Sequence, residues 1–257
     1  MTANPAYGLQ QELNPKALGW GVWATIGWGV VIAAVYWATM LAAASGFIFW
    51  WEIAVPEQQL DFSNLELNGP LLGTVTPVAN LAAIGVVILA VRLSQVRVVD
   101  YLALKWPTRQ NFLICLLLTV LVLPLADLIT MQSGREVIPE FVAHIYETSG
   151  DAGIHYLILL ALTLLVFAPL GEEIVFRGFF FRGFNASLGP VLTILITSLV
   201  WAVMHAQYDA FFMSQIFVFG LVLGWVRWRS ESLILVIVLH ALINATAMLQ
   251  TTMMLGV

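Results

Sequence analysis

The chain has 257 residues, of which 61% are hydrophobic and 10% charged, with a formal net charge of −5. An average soluble protein carries about 25% charged residues, and a soluble domain of this length could not hide so much apolar surface. Composition therefore excludes a soluble globular protein. Several uncharged runs reach the ~20 residues that cross a bilayer as a helix, so the expected fold class is all-α, a polytopic membrane helical bundle.

Residues 1–17 are expected to form a cytoplasmic or interfacial tail. They lack the basic n-region and short apolar core of a cleavable signal, which leaves the first span to act as the insertion signal. One membrane domain, 18–257, is expected to follow. Its spans read in chain order as 18–51, 70–93, 111–131, 155–182, 191–208, 210–228 and 232–254, about seven transmembrane helices. The first and fourth exceed the length needed, so they are expected to tilt, bend or project into the interface. The single Cys115, inside the third, excludes an intramolecular disulfide and a thiolate metal cluster.

Charge alternates between the connections. The 52–69 loop carries Glu52, Glu57, Asp61 and Glu66 and no base, and the 132–154 loop is acidic apart from Arg135. Arg97, Lys105 and Arg109 lie in 94–110, with Arg92 just before. Arg177 and Arg182 end the fourth span, and Arg227 and Arg229 the sixth. With Lys16 inside, only Arg135 of the ten Lys and Arg residues falls outside. The positive-inside rule then sets the N-terminus in the cytoplasm and the C-terminus outside.

Ionisable groups within spans are functional-site candidates, since a charge at mid-bilayer costs about 2.5–3.5 kcal/mol even on a lenient scale. Asp127 and His155 lie near outer ends and read as interfacial. The remainder form a pattern. Glu173 and Arg177 are four apart, about 40° around a helix, and can pair. Glu172 is rotated about 100° from Glu173, so the same arginine does not neutralise it. Trp201 and His205 share one face of the fifth span; His240 and Asn244 share one face of the seventh.

Counted along ideal helices, Glu172 lies roughly 15 Å from Arg182, His240 and Asn244 roughly 12 and 18 Å from Ser232, and His205 roughly 21 Å from Val191. All four side chains can therefore meet in one layer near the bilayer middle. A carboxylate and an imidazole suit the activation of water; a second imidazole and a carboxamide suit an oxyanion. His-Glu-x-x-His is absent. Zinc on Glu172, His205 and His240 remains an alternative to a site with no cofactor.

Three runs, "EEIVFR", "WAVMH" and "HALIN", resemble in order the EExxxR, FxxxH and HxxxN motifs of the CPBP intramembrane proteases, which include CAAX prenyl proteases and bacteriocin-processing members (also called Abi or type II CAAX protease-like). The resemblance covers about 155–250. It implies an intramembrane peptidase of the glutamate type, without a metal, acting on a membrane-embedded or lipidated peptide, CAAX-type substrates included. It implies that Glu172 and His205 activate water, that His240 and Asn244 stabilise the oxyanion, and that Glu173 and Arg177 support the site. Trp201, where the motif has phenylalanine, and Phe176 are expected to line the substrate pocket. The expected partners are that peptide and the lipid bilayer, with no nucleic acid. The alternative is a catalytically silent membrane scaffold, or a partner in bacteriocin immunity or secretion.

Overall fold

Long apolar runs with few breakers favour helices, which satisfy their own backbone groups in lipid. A computed structural model of the chain describes residues 21–55 and 60–256; the expected tail 1–17 lies outside the described residues. Of the described residues 84% are helical, and none of them forms a strand. Its helices are α1 (Val22–Ala54), α2 (Gly69–Leu93), the single turn α3 (Val98–Tyr101), α4 (Arg109–Gln132), α5 (Glu140–Ala152), α6 (Ile154–Leu162), α7 (Ala168–Glu173), α8 (Phe181–Val203), α9 (Ala210–Ser230) and α10 (Leu233–Leu255). Two π-helical segments, Thr163–Phe167 and Ile174–Phe180, join α6 to α7 and α7 to α8.

Polar residues outside the apolar runs set where helices begin. Asn68, Thr108 and Ser232 each accept an N–H from the first turn of α2, α4 and α10. Asp209 accepts two, from Phe211 and Phe212, at the start of α9. These N–H groups, with Arg135, hold the Asp209 carboxyl below the usual range. Asp209 and Arg135 form an ion pair that ties the entry of α9 to the connection after α4.

Six continuous helical runs among the described residues are long and apolar enough to cross a membrane, so the protein is an integral, multi-pass membrane protein. The fourth and fifth expected spans share the 50-residue run Ile154–Val203. It is not straight. Glu172 and Trp201 are 29 residues apart, about 43 Å along one helix, yet their side chains hydrogen-bond at 2.6 Å. The reversal comes at Gly189, with φ 72° and ψ 169°, a conformation essentially reserved for glycine. Pro190, with its φ already fixed near the helical value, starts the returning leg.

The connection 132–154, expected as a loop, contains the helix α5. Its apolar residues Phe141, Val142, Ile145 and Tyr146 recur at helical spacing, but the flanking Glu140, Glu147 and Asp151 obscure the pattern. Gly69 at the start of α2 fits closely against α5: a Cβ there would lie 2.1 Å from the Ile145 carbonyl oxygen. α2 is the most enclosed of the six runs, whereas α1 and α4 turn most of their surface outward. Lipid tails are as apolar as leucine, so close packing rather than water exclusion joins such helices. Small residues on α2 (Gly73, Ala79, Ala83, Ala90) serve that purpose.

Nothing stands within 4 Å of a Cβ built on Gly189, so substitution there tests the backbone alone. Gly189→Ala is expected to destabilise the protein by about 1–3 kcal/mol, read as a lower unfolding midpoint in detergent. An unchanged midpoint would mean that the reversal does not depend on this conformation.

Candidate active site

The centre of the site is Glu173, fully buried at the end of α7. Its Oε1 accepts from Arg177 Nη1 at 2.9 Å and from His240 Nδ1 at 2.8 Å. Arg177 is also 0% exposed, and its charge is distributed over several partners. Nη2 donates to the Gly220 carbonyl of α9 at 3.1 Å, and the guanidinium carbon lies 4.6 Å from the centre of the Trp201 ring. Arg227 in turn donates from Nε to the Arg177 carbonyl at 3.0 Å. Gly220 makes this possible, because a Cβ there would lie 2.9 Å from Ser198 Cβ and 3.1 Å from Trp201 Cε3.

Glu172 has a different environment. It is half-buried, and its Oε2 accepts from the Trp201 indole N–H at 2.6 Å. The carboxylate expected to stand apart from Arg177 is thus held by a neutral donor. Only one of its two oxygens has a hydrogen-bond partner among the described residues.

The histidines are oriented by what their Nδ1 atoms meet. α8 ends at Val203, and the N–H of His205 bonds back to Ala202 rather than to Trp201. The Trp201 carbonyl, one of the orphans of a helix end, takes His205 Nδ1 at 2.8 Å instead. A carbonyl only accepts, so the hydrogen sits on Nδ1 and Nε2 is the basic nitrogen. His240 Nδ1 meets the Glu173 carboxylate and likewise carries a hydrogen. Its Nε2 then donates only as part of an imidazolium.

Asn244, one turn after His240, donates from Nδ2 to the Leu164 carbonyl at 2.8 Å. Leu164 lies in the first π segment, and Pro169, five residues on, has no N–H to return to that carbonyl. Nδ2 keeps a second hydrogen for another acceptor.

Glu172, Trp201, His205, His240 and Asn244 line one cavity of about 1130 Å³, together with Phe176. Glu173 and Arg177 lie behind it. The aromatic rings converge: Trp201 is 5.0 Å from the His205 ring and 5.5 Å from the His240 ring, edge-on to both. Phe176 is buried against Phe180, which stacks on Phe184. Asp127, expected as interfacial, also reaches the cavity wall, where Gln250 donates to it at 2.7 Å. His155 stays exposed beside Tyr156.

Sequence reasoning missed the indole donor and the roles of Gly220 and Arg227. The only signal was chemical: tryptophan carries an N–H that phenylalanine lacks. Among the described residues, no three His, Cys, Asp or Glu side chains are grouped so as to hold a metal ion. Glu172 turns one oxygen to Trp201, and each histidine commits Nδ1 to the protein, which leaves Glu172 Oε1 and the two Nε2 atoms as the remaining donor atoms of the set suggested for zinc.

These features define a multi-pass helical membrane protein with a buried carboxylate–imidazole centre opening on an intramembrane cavity. Residues 154–246, which carry all of that centre, match the family model of Rce1-like type II CAAX prenyl endopeptidases. The resemblance carried by the three motifs is therefore shown over that segment. The chain is similar to an Escherichia coli protein described as an uncharacterized 24.3 kDa protein, at 36% identity over 93 residues. The match covers 35% of this chain and 43% of the relative, so the chain spans less than half the length of that curated relative. No solved structure matches.

Removing one member of a buried ion pair leaves the other charge uncompensated, at about 3–5 kcal/mol. Arg177→Met is expected to destabilise the protein by that amount in detergent melts, and Glu173→Gln together with Arg177→Met to recover part of it. A single-variant loss below about 1 kcal/mol would instead mark the pair as behaving like an exposed one.

Proposed function

We propose that the protein is an intramembrane endopeptidase, hydrolysing a peptide bond of a membrane-embedded or lipidated substrate, CAAX-type peptides included. The observation that carries this reading is the convergence of Glu172 from α7, His205 from just past α8, and His240 and Asn244 from α10 on one cavity. Family membership of residues 154–246 supports it.

In this reading Glu172, with His205 Nε2, takes a proton from water as the oxygen attacks the scissile carbonyl carbon. The carbonyl π electrons move to oxygen, and His240 Nε2–H and the second Asn244 amide hydrogen donate to the resulting oxyanion. Collapse breaks the C–N bond, and the abstracted proton passes to the leaving amine. Glu173 orients His240 through Nδ1 for its part, and Arg177 balances Glu173. The water is activated without a metal ion.

The proposed orientation is N-terminus in the cytoplasm and C-terminus outside. Arg177 and Arg227 are buried within the bundle and drop out of the charge count. Arg92, Arg97, Lys105, Arg109, Arg182 and Arg229 still favour one side, against Arg135 on the other.

The test compares wild type and Glu172→Ala in liposomes, each offered lipidated and transmembrane fluorogenic peptides with and without chelator. Wild type is expected to cleave, and the variant to lose about 10²–10⁴-fold in rate, the contribution of one general base. Chelator is expected to leave the rate unchanged. Equal cleavage by both proteins would overturn the role of Glu172, chelator inhibition would overturn the metal-free step, and a folded wild type that cleaves nothing would favour a silent scaffold.

A further inference from the structure

We propose that Trp201 is the positioning residue of the reaction: its indole N–H fixes one oxygen of Glu172 so that the other is presented to the attacking water. The inference rests on the reading of Glu172 as the base. Its geometry is the 2.6 Å bond from Trp201 Nε1 to Glu172 Oε2.

A glutamate side chain has three rotatable torsions, and Glu172 lacks the cation that immobilises Glu173. One donor on a rigid bicyclic ring restricts those torsions. The ring is itself held. The Arg177 guanidinium lies against it at 4.6 Å, and the bare backbone of Gly220 leaves room for it where a Cβ would press on Cε3.

The same residue also sets the second half of the base. The Trp201 carbonyl holds Nδ1 of His205 at 2.8 Å and thereby makes Nε2 the basic nitrogen. Trp201 thus addresses Glu172 through its side chain and His205 through its backbone. Substitution of the side chain removes only the first contact, which makes the two separable. Phenylalanine retains an aromatic wall and has no N–H; 3-benzothienylalanine retains the full bicyclic shape, with sulfur in place of N–H.

The experiment has a structural arm and a kinetic arm. The first records indole ¹⁵N–¹H resonances of the intact protein in detergent, with the Trp201 signal among the ten tryptophans assigned by its loss in Trp201→Phe. That signal is expected downfield in wild type and is expected to move upfield in Glu172→Ala. No movement would overturn the hydrogen bond, and this arm needs no substrate.

The kinetic arm replaces Trp201 by 3-benzothienylalanine. Loss of positioning is expected to lower kcat about ten-fold with KM unchanged, and Trp201→Phe is expected to show the same loss. A residue serving only as a pocket wall would leave kcat intact in the isostere and change KM in the phenylalanine variant, and that result would overturn the proposal. Failure of the underlying reading looks different: Glu172→Ala would cleave as fast as wild type, and the inference would fall with it.

Discussion

A carboxylate at the centre of an apolar bundle has lost its water, and unless it finds fixed positive partners it is either neutral or destabilising. Glu173 is that carboxylate. Its Oε1 receives Arg177 and His240 together, and the consequences spread outward from those two bonds. Arg177, drawn in to balance Glu173, brings its own unsatisfied donors, and the Gly220 carbonyl and the Trp201 ring answer them. His240 is drawn in from α10. The returning leg of α8, α9 and α10 are thus fixed around one oxygen atom before any substrate is considered.

Glu172 and Glu173 differ because a helix rotates about 100° per residue. The rotation sends Glu173 into the protein, toward a cation and an imidazole, and Glu172 toward the cavity, where it meets a neutral indole. A carboxylate bound to Arg177 would have its charge compensated and both its torsions and its basicity committed. The indole holds Glu172 in place with a dipole only. Two neighbouring residues of the same type therefore occupy separate roles, one in the support of the site and one at its surface.

Much of this was legible in the sequence, for identifiable reasons. The spans were visible because lipid demands about 20 apolar residues at a time. The set Glu172, Glu173, Arg177, His205, His240 and Asn244 stood out because polar groups are rare there. The i, i+4 spacing also pairs Glu173 with Arg177. Other features depend on contacts that no local pattern encodes. The Glu172–Trp201 bond joins residues on two legs of a reversed helix. α5 was hidden because its short apolar face is flanked by Glu136, Glu140, Glu147 and Asp151, so the segment reads as an acidic loop. Arg177 and Arg227, read as charges at the inner surface, lie in the interior because backbone carbonyls and aromatic rings there receive them.

The π-helical segments explain where some of those receivers come from. An α-helix engages its own carbonyls, so a bundle of perfect helices offers few wholly free acceptors to a buried polar side chain. Each π segment interrupts that pattern once. In the first, Pro169 cannot donate back, the Leu164 carbonyl is left over, and Asn244 of α10 takes it. In the second, the Arg177 carbonyl is left over and Arg227 of α9 takes it. The end of α8 does the same for His205 through the Trp201 carbonyl. Asn244, Arg227 and His205 are each thereby matched by a backbone carbonyl from a local failure of helical bonding. The irregularities, as much as the motif residues, decide that a carboxylate, an imidazole and a carboxamide come to line one cavity.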